Sequence, residues 1–253
     1  MEIGLNLFSI RTALQNGQDV LDTFKRLKDM GLSYVQYSGG IYEIETLQKA
    51  SKILPIVLTH VPYNRIVNDT DKLIEEHKSF NCYNIGLGCF PGECLFEKEK
   101  CLDVIDQLEI AAEKMSQQGM KLFHHNHTGE FYRLFGNKRI FEMMAERAPH
   151  INFTLDTYWL QNSGVSAAEF IETLPRRVEC IHLKDYKIDK NSRNELVPQF
   201  ERVGYGNMNF HTIVEKAKAA GTKYFLIEQD DACEKENMWE LIQNSIDYCR
   251  GEL

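Results

Sequence analysis

Long apolar runs are missing from this chain. No stretch approaches the ~18 apolar residues of a membrane span, and the opening Met1-Glu-Ile-Gly-Leu-Asn has no charged segment leading into an apolar one, as a secretory leader would. A cytoplasmic protein is expected, with no membrane partner. Basic residues are also short: 29 Lys and Arg face 37 Asp and Glu, for a net charge of −8. No block of five or six like charges occurs; the nearest approaches are Lys98-Glu99-Lys100 and Pro175-Arg176-Arg177. That argues against a nucleic-acid partner, which calls for concentrated Lys and Arg. Cys-x-x-Cys is absent among the seven cysteines, so neither a zinc ribbon nor a thioredoxin-like site is indicated, and reduced thiols are expected. With only 16 Gly and 6 Pro the chain is neither collagen-like nor of low complexity. What it does have is 43% hydrophobic and 26% charged residues, a globular composition rather than a disordered one. Its 253 residues can bury a core without disulfides.

Short apolar or β-branched runs recur along the whole length, separated by amphipathic stretches. Strands are expected at Ile3–Phe8, Tyr34–Tyr37, Pro55–His60, Asn84–Phe90, Lys121–His127, Ile151–Thr157, Cys180–Tyr186 and Tyr224–Gln229. Helices are expected near Asp19–Met30, Glu43–Ile53, Asp69–Ser79, Glu97–Gln118, Lys138–Arg147, Ala167–Thr173, Phe210–Ala219 and Trp239–Cys249. Gly31, Gly119 and Gly221 stand just before strands, where helices commonly end in a left-handed glycine. Strict alternation of strand and helix implies a parallel sheet, and eight repeats imply an α/β fold closed into a single-domain (β/α)8 TIM barrel. An open doubly wound sheet is the alternative.

In such a barrel the chemistry sits at the C-terminal ends of the strands. Ionisable residues collect there: His60 after strand three, His124-His125-Asn126-His127-Thr128-Gly129-Glu130 after strand five, Asp156 after six, His182-Leu183-Lys184 at seven and Glu228 at eight. Converging buried carboxylates need a cation. The nitrogen and oxygen donors suit Mn²⁺, Co²⁺, Mg²⁺, Fe²⁺ or Zn²⁺. Period-two alternation puts His125 and His127 on one strand face, and His182 and Lys184 on another. The expected ligands are His125, Asp156, His182 and Glu228, one from each of four successive strands, with His125 alternatively orienting a ligand.

The motifs His-Asn-His-x-x-Glu-Phe from His125, Asp-Thr-Tyr-Trp from Asp156, His-Leu-Lys-Asp from His182 and Ile-Glu-Gln-Asp around Glu228 resemble the xylose isomerase-like barrels over nearly the whole chain. That superfamily includes sugar epimerases, hydroxypyruvate isomerases, inosose dehydratases and AP endonucleases. The resemblance implies a divalent metal held by a Glu, Asp, His, Glu set. Asp156, His182 and Glu228 match it, whereas His125 stands where the epimerases have a carboxylate. It further implies a small sugar or polyol substrate whose α-proton a base removes to give an enediolate. Glu228, Glu130 or His125 are candidates for that base, and Lys184 for stabilising the enolate oxygen. Glu130 is alternatively a ligand reaching back from its loop, or part of a loop ion pair. His60, His127 and Trp159 are candidate substrate contacts, with Trp159 replacing a substrate-binding histidine of the epimerases. Core packing is the alternative for His60 and Trp159, and a structural hydrogen bond for His127.

Isomerisation or epimerisation is the primary expectation, and dehydration or elimination on a keto-cyclitol or 3-keto-glycoside the alternative, because both share the enediolate. An AP endonuclease-type repair nuclease would need further histidines for a trinuclear zinc site, yet strand two ends in Gln36 and Tyr37. A metal-free sugar-binding protein is the remaining rival, and a homo-oligomer is compatible with any of these readings.

Overall fold

The computed structural model describes residues 1–253. In chain order the strands are β1 (Gly4–Asn6), β2 (Tyr34–Tyr37), β3 (Ile56–Val61), β4 (Asn84–Leu87), β5 (Lys121–His125), β6 (Ile151–Asp156), β7 (Cys180–Leu183), β8 (Asp185–Lys190), β9 (Leu196–Glu201) and β10 (Tyr224–Ile227). The helices are α1 (Gly17–Asp29), α2 (Ile44–Ala50), α3 (Tyr63–Asn68), α4 (Thr70–Ser79), α5 (Lys98–Gln117), α6 (Ile140–Arg147), α7 (Thr157–Asn162), α8 (Ala167–Glu172), α9 (Phe210–Ala220) and α10 (Met238–Glu252). All strands but β8 and β9 close into one parallel barrel in the order β1-β10-β7-β6-β5-β4-β3-β2. The fold is a (β/α)8 TIM barrel, and the open-sheet alternative is set aside by the β1–β10 pairing. Gly31, Gly119 and Gly221 all adopt positive φ, as expected of helix-terminating glycines.

Strand alternation sorts the core into two compartments. Outward positions such as Leu5, Val35, Leu122, Leu155, Ile181 and Ile227 join the large apolar core. A separate small apolar group, Tyr34, Leu58, Phe123, Cys180 and Leu226, plugs the lower barrel. β1 contributes Gly4 at this level because a Cβ there would lie 2.4 Å from the Tyr34 ring. Two residues further along each strand the lumen turns polar: Asn6, Gln36, His60, His125, Asp156, His182 and Glu228. Ordinary barrel layers are filled by branched apolar side chains, so this polar upper layer marks the working end.

Three departures from the sequence expectations shape the mouth of the barrel. β1 ends at Asn6 rather than Phe8, because the Asn6 side chain accepts from the Phe8 amide and starts a 3-10 turn over Leu7–Ala13. Strand six stops at Asp156, whose Oδ1 accepts from the Trp159 amide at 2.9 Å and caps α7, a helix the sequence reading did not contain. Strand seven does not continue to Tyr186: Asp185 opens the antiparallel hairpin β8–β9. The base of that hairpin is fixed by the buried Asp185 carboxylate, which accepts backbone N–H bonds from Tyr186, Gly204, Gly206 and Met208 at 2.8–3.1 Å. No helix is long and apolar enough to cross a membrane, and all seven cysteines are free thiols.

Candidate active site

Four of the expected residues meet at the floor of the barrel mouth. One donor atom from each of His125 (β5), Asp156 (β6), His182 (β7) and Glu228 (just after β10) lies within 4.8 Å of every other, and all four residues are buried. His182 Nδ1 is 2.7 Å from Glu228 Oε2 and 3.1 Å from His125 Nε2, which is 3.3 Å from Asp156 Oδ2. The far nitrogens of both imidazoles are occupied. His125 Nδ1 donates to the Gly88 carbonyl at 3.2 Å, and His182 Nε2 donates to Gln36 Oε1 at 2.8 Å. Those bonds leave a lone pair of each ring facing the carboxylates. Glu228 Oε2 is buried without a hydrogen-bond partner, while Asn6 Nδ2 donates to Oε1 at 2.6 Å. Two imidazole lone pairs and two carboxylate oxygens converging in a buried space fit a divalent cation.

Lys184 supplies the only ammonium in this space. Its side chain is 1% exposed, and Nζ lies 2.7 Å from Asp230 Oδ1, 3.5 Å from Asp156 Oδ2 and 3.7 Å from Glu228 Oε2. Thr157 Oγ1 fixes the strand end by donating to the Lys184 carbonyl at 2.8 Å while accepting the Lys184 amide at 2.9 Å. Burial is the largest influence on Glu228 and pushes its carboxyl up, yet the Lys184 charge opposes it and the group is held well below the usual range. For Asp156 burial wins over Lys184, and its carboxyl is pushed up to about 7. Burial likewise drives His60 down to about 3 and His125 well below the ordinary imidazole range.

The Asp156 shift has a measurable consequence. Below about pH 7 its carboxyl holds a proton that a cation must displace, so cation affinity falls as pH falls. Between about pH 8 and about pH 5, Mn²⁺ binding by calorimetry should weaken roughly 100-fold, set by about two pH units of protonation at one ligand. An affinity independent of pH over that window would show that Asp156 holds no proton for a cation to displace.

A cavity of about 320 Å³ opens above the floor. His60, His125, His127, Lys184, Glu228 and Asp230 line it, as expected for all but Asp230, which the sequence reading left without a role. His60 stacks on His125, with ring centroids 5.3 Å apart, and its Nε2 accepts from Gln36 Nε2 at 2.6 Å. Gly88 makes room for that ring, since a Cβ would lie 2.9 Å from His60 Nδ1. Gln36 therefore bridges two site histidines, although strand two offers no metal ligand. Asn6 was missed as well; an amide at a strand end looks like a cap until the barrel closes around it. Phe8 and Tyr63 are the aromatic members of the lining besides the histidines.

Two of the expected residues lie outside the cavity lining. Glu130 neither lines the cavity nor joins the ligand set. It turns to the outer face of β5, where Oε1 lies 3.1 Å from buried His124 Nε2 and Oε2 accepts the His127 amide at 3.0 Å. The bond from the His127 amide holds the loop from which His127 enters the cavity. Trp159 also stands behind the lining rather than in it, with its ring centroid 5.3 Å from that of His127 and 5.2 Å from Lys184 Nζ.

The barrel and its polar upper layer define a class. Residues 24–250 match the family model described as xylose isomerase-like TIM barrel, and the chain belongs to that family. No curated protein sequence matches it. Among solved structures it is similar to a sugar phosphate isomerase/epimerase from Parabacteroides distasonis ATCC 8503, with a TM-score of 0.82 and 20% identity over 99% of this chain and 94% of that one. It is also similar to a probable 3-DHS dehydratase involved in petrobactin synthesis from Bacillus anthracis (TM-score 0.72, 13% identity, 100% of both chains). A third is a 3-keto-D-glucoside 4-epimerase from E. coli (TM-score 0.69, 15% identity, 99% of both chains). At these identities the likeness is one of fold.

Proposed function

We propose that the protein is a divalent-cation-dependent sugar isomerase or epimerase that moves a proton beside the carbonyl of a keto sugar or related polyol. The observation that carries this reading is the convergence of His125, Asp156, His182 and Glu228 at the cavity floor, with one Glu228 oxygen left unpartnered. A cation bound by these four residues supplies a Lewis acid that polarises the carbonyl and acidifies the neighbouring C–H. Everything else falls to the chain. Glu228 is the base: Oε2 would face the cation, and Oε1, oriented by the Asn6 amide on a carboxylate that Lys184 keeps ionised, receives the proton. Lys184 offsets negative charge on the enediolate oxygen. His60 and His127 contact substrate hydroxyls from the cavity walls.

One observation favours a second reading, dehydration or elimination on a keto-cyclitol or 3-keto-glycoside. His125 stands where a second carboxylate would take part in moving the proton, and neutral His60 or His127 can donate to a departing β-oxygen. A nuclease is not supported: besides His60, His125, His127 and His182, the remaining histidines lie elsewhere, with His77 bonded to Thr59 and Leu73 and His150 paired with Glu109. The test is to measure bound metal, then incubate the loaded protein with ketohexoses, inososes and 3-keto-glucosides in deuterated water. α-Deuterium in recovered sugar supports the primary reading, and loss of water by mass supports the second. Absence of both metal binding and exchange overturns both.

A further inference from the structure

Two places at the barrel mouth would hold an anion, and the chain's own carboxylates fill both. The first is the Lys184 ammonium, engaged most closely by Asp230 Oδ1 at 2.7 Å. The second is the cluster of backbone amides beyond β7, in the part of the fold where such barrels commonly build a phosphate site. There Gly204 and Gly206 donate to Asp185 Oδ2 at 3.0 and 2.9 Å, and Tyr186 and Met208 to Oδ1 at 2.8 and 3.1 Å. The fit is close, because a Cβ on Gly206 would lie 2.4 Å from the Asp185 carboxylate. Arg11, beside the mouth, is also committed: Nη1 donates to the carbonyls of Phe8 and Asp230 at 3.0 and 2.8 Å. No other Lys or Arg lines the cavity. With a divalent cation bound, that cation and Lys184 together equal the charge of Asp156, Glu228 and Asp230. A phosphate or carboxylate substituent on the substrate would meet no uncompensated positive charge, and Asp230 would repel it.

We propose that Asp230 is a specificity-determining residue that restricts this site to uncharged substrates, admitting a keto sugar or cyclitol and refusing its phosphate ester. The assignment rests on the keto-sugar reading of the site. Asp230 acts by negative selection: it withholds from an anion the one ammonium that could bind it.

The test compares Mn²⁺-loaded wild type, Asp230→Asn and Asp230→Glu. One arm titrates inorganic phosphate and fructose 6-phosphate calorimetrically; the other follows α-hydrogen exchange of fructose and fructose 6-phosphate in deuterated water. Wild type and Asp230→Glu are expected to bind both anions only weakly, whereas Asp230→Asn should bind them at least roughly tenfold more tightly, as removal of one nearby charge in a low-dielectric cleft requires. Rescue by Asp230→Glu separates charge from packing. Tight phosphate binding by wild type, or an unchanged anion affinity in Asp230→Asn, overturns the proposal. If no sugar exchanges hydrogen in any variant, the keto-sugar reading loses its support, while the phosphate titration still decides charge exclusion.

Discussion

Glu228→Gln is expected to lower α-hydrogen exchange by about 10²–10⁴-fold, the contribution typical of a general base, while thermal unfolding stays close to wild type. The substitution keeps the shape of the side chain and an oxygen for the Asn6 amide, whose bond to Oε1 is 2.6 Å. It removes the capacity of the carboxylate to take a proton. It also removes one of the two anionic ligands, so the comparison must be made at saturating cation, with occupancy measured alongside. Lys184 retains Asp156 and Asp230 as partners, which is why the fold should survive. Exchange at the wild-type rate in fully loaded Glu228→Gln would remove Glu228 from the proton transfer. The base would then have to be one of the lining imidazoles.

The second large effect is expected at Lys184. Its ammonium is the buried counter-charge to Asp156, Glu228 and Asp230 when no divalent cation is bound. Removing one partner of a buried charge network leaves charge uncompensated, at about 3–5 kcal/mol. Lys184→Met, which keeps the length of the side chain, should therefore lower the thermal midpoint in EDTA by roughly 6–20 °C, at about 2–4 °C per kcal/mol for a chain of this size. Mn²⁺ should restore most of that loss, because the cation replaces the missing positive charge. An equal fall with and without Mn²⁺ would assign the effect to lost packing instead, since Nζ also lies 5.2 Å from the Trp159 ring and 5.1 Å from that of Phe200.

The convergence of His125, Asp156, His182 and Glu228 was legible in the sequence because two independent regularities coincide. Strand alternation fixes which side chains share the lumen, and His or carboxylate at the C-terminal end of strand after strand has no inexpensive structural use. Asn6 and Gln36 obey the same alternation, two residues beyond Gly4 and Tyr34. Being neutral, they raise no question of charge compensation, and their roles exist only through long-range partners, Glu228 for Asn6 and His182 for Gln36. Glu130 was misplaced for a different reason: whether a loop folds forward over the mouth or back along the strand depends on a partner, here His124, that points out of the barrel. The hairpin was hidden by Pro198, which discourages a strand reading. Pro198 pairs with Ile188 in a two-stranded ribbon with free edges, where a missing amide is tolerated.

The two-level lumen carries an evolutionary consequence. The apolar plug of Tyr34, Leu58, Phe123, Cys180 and Leu226 closes the barrel without help from the layer above it. The ligands in that layer come from separate strands, so one can be exchanged while the backbone and the plug stay as they are. The fold can therefore change its chemistry one strand end at a time without disturbing the plug that closes it.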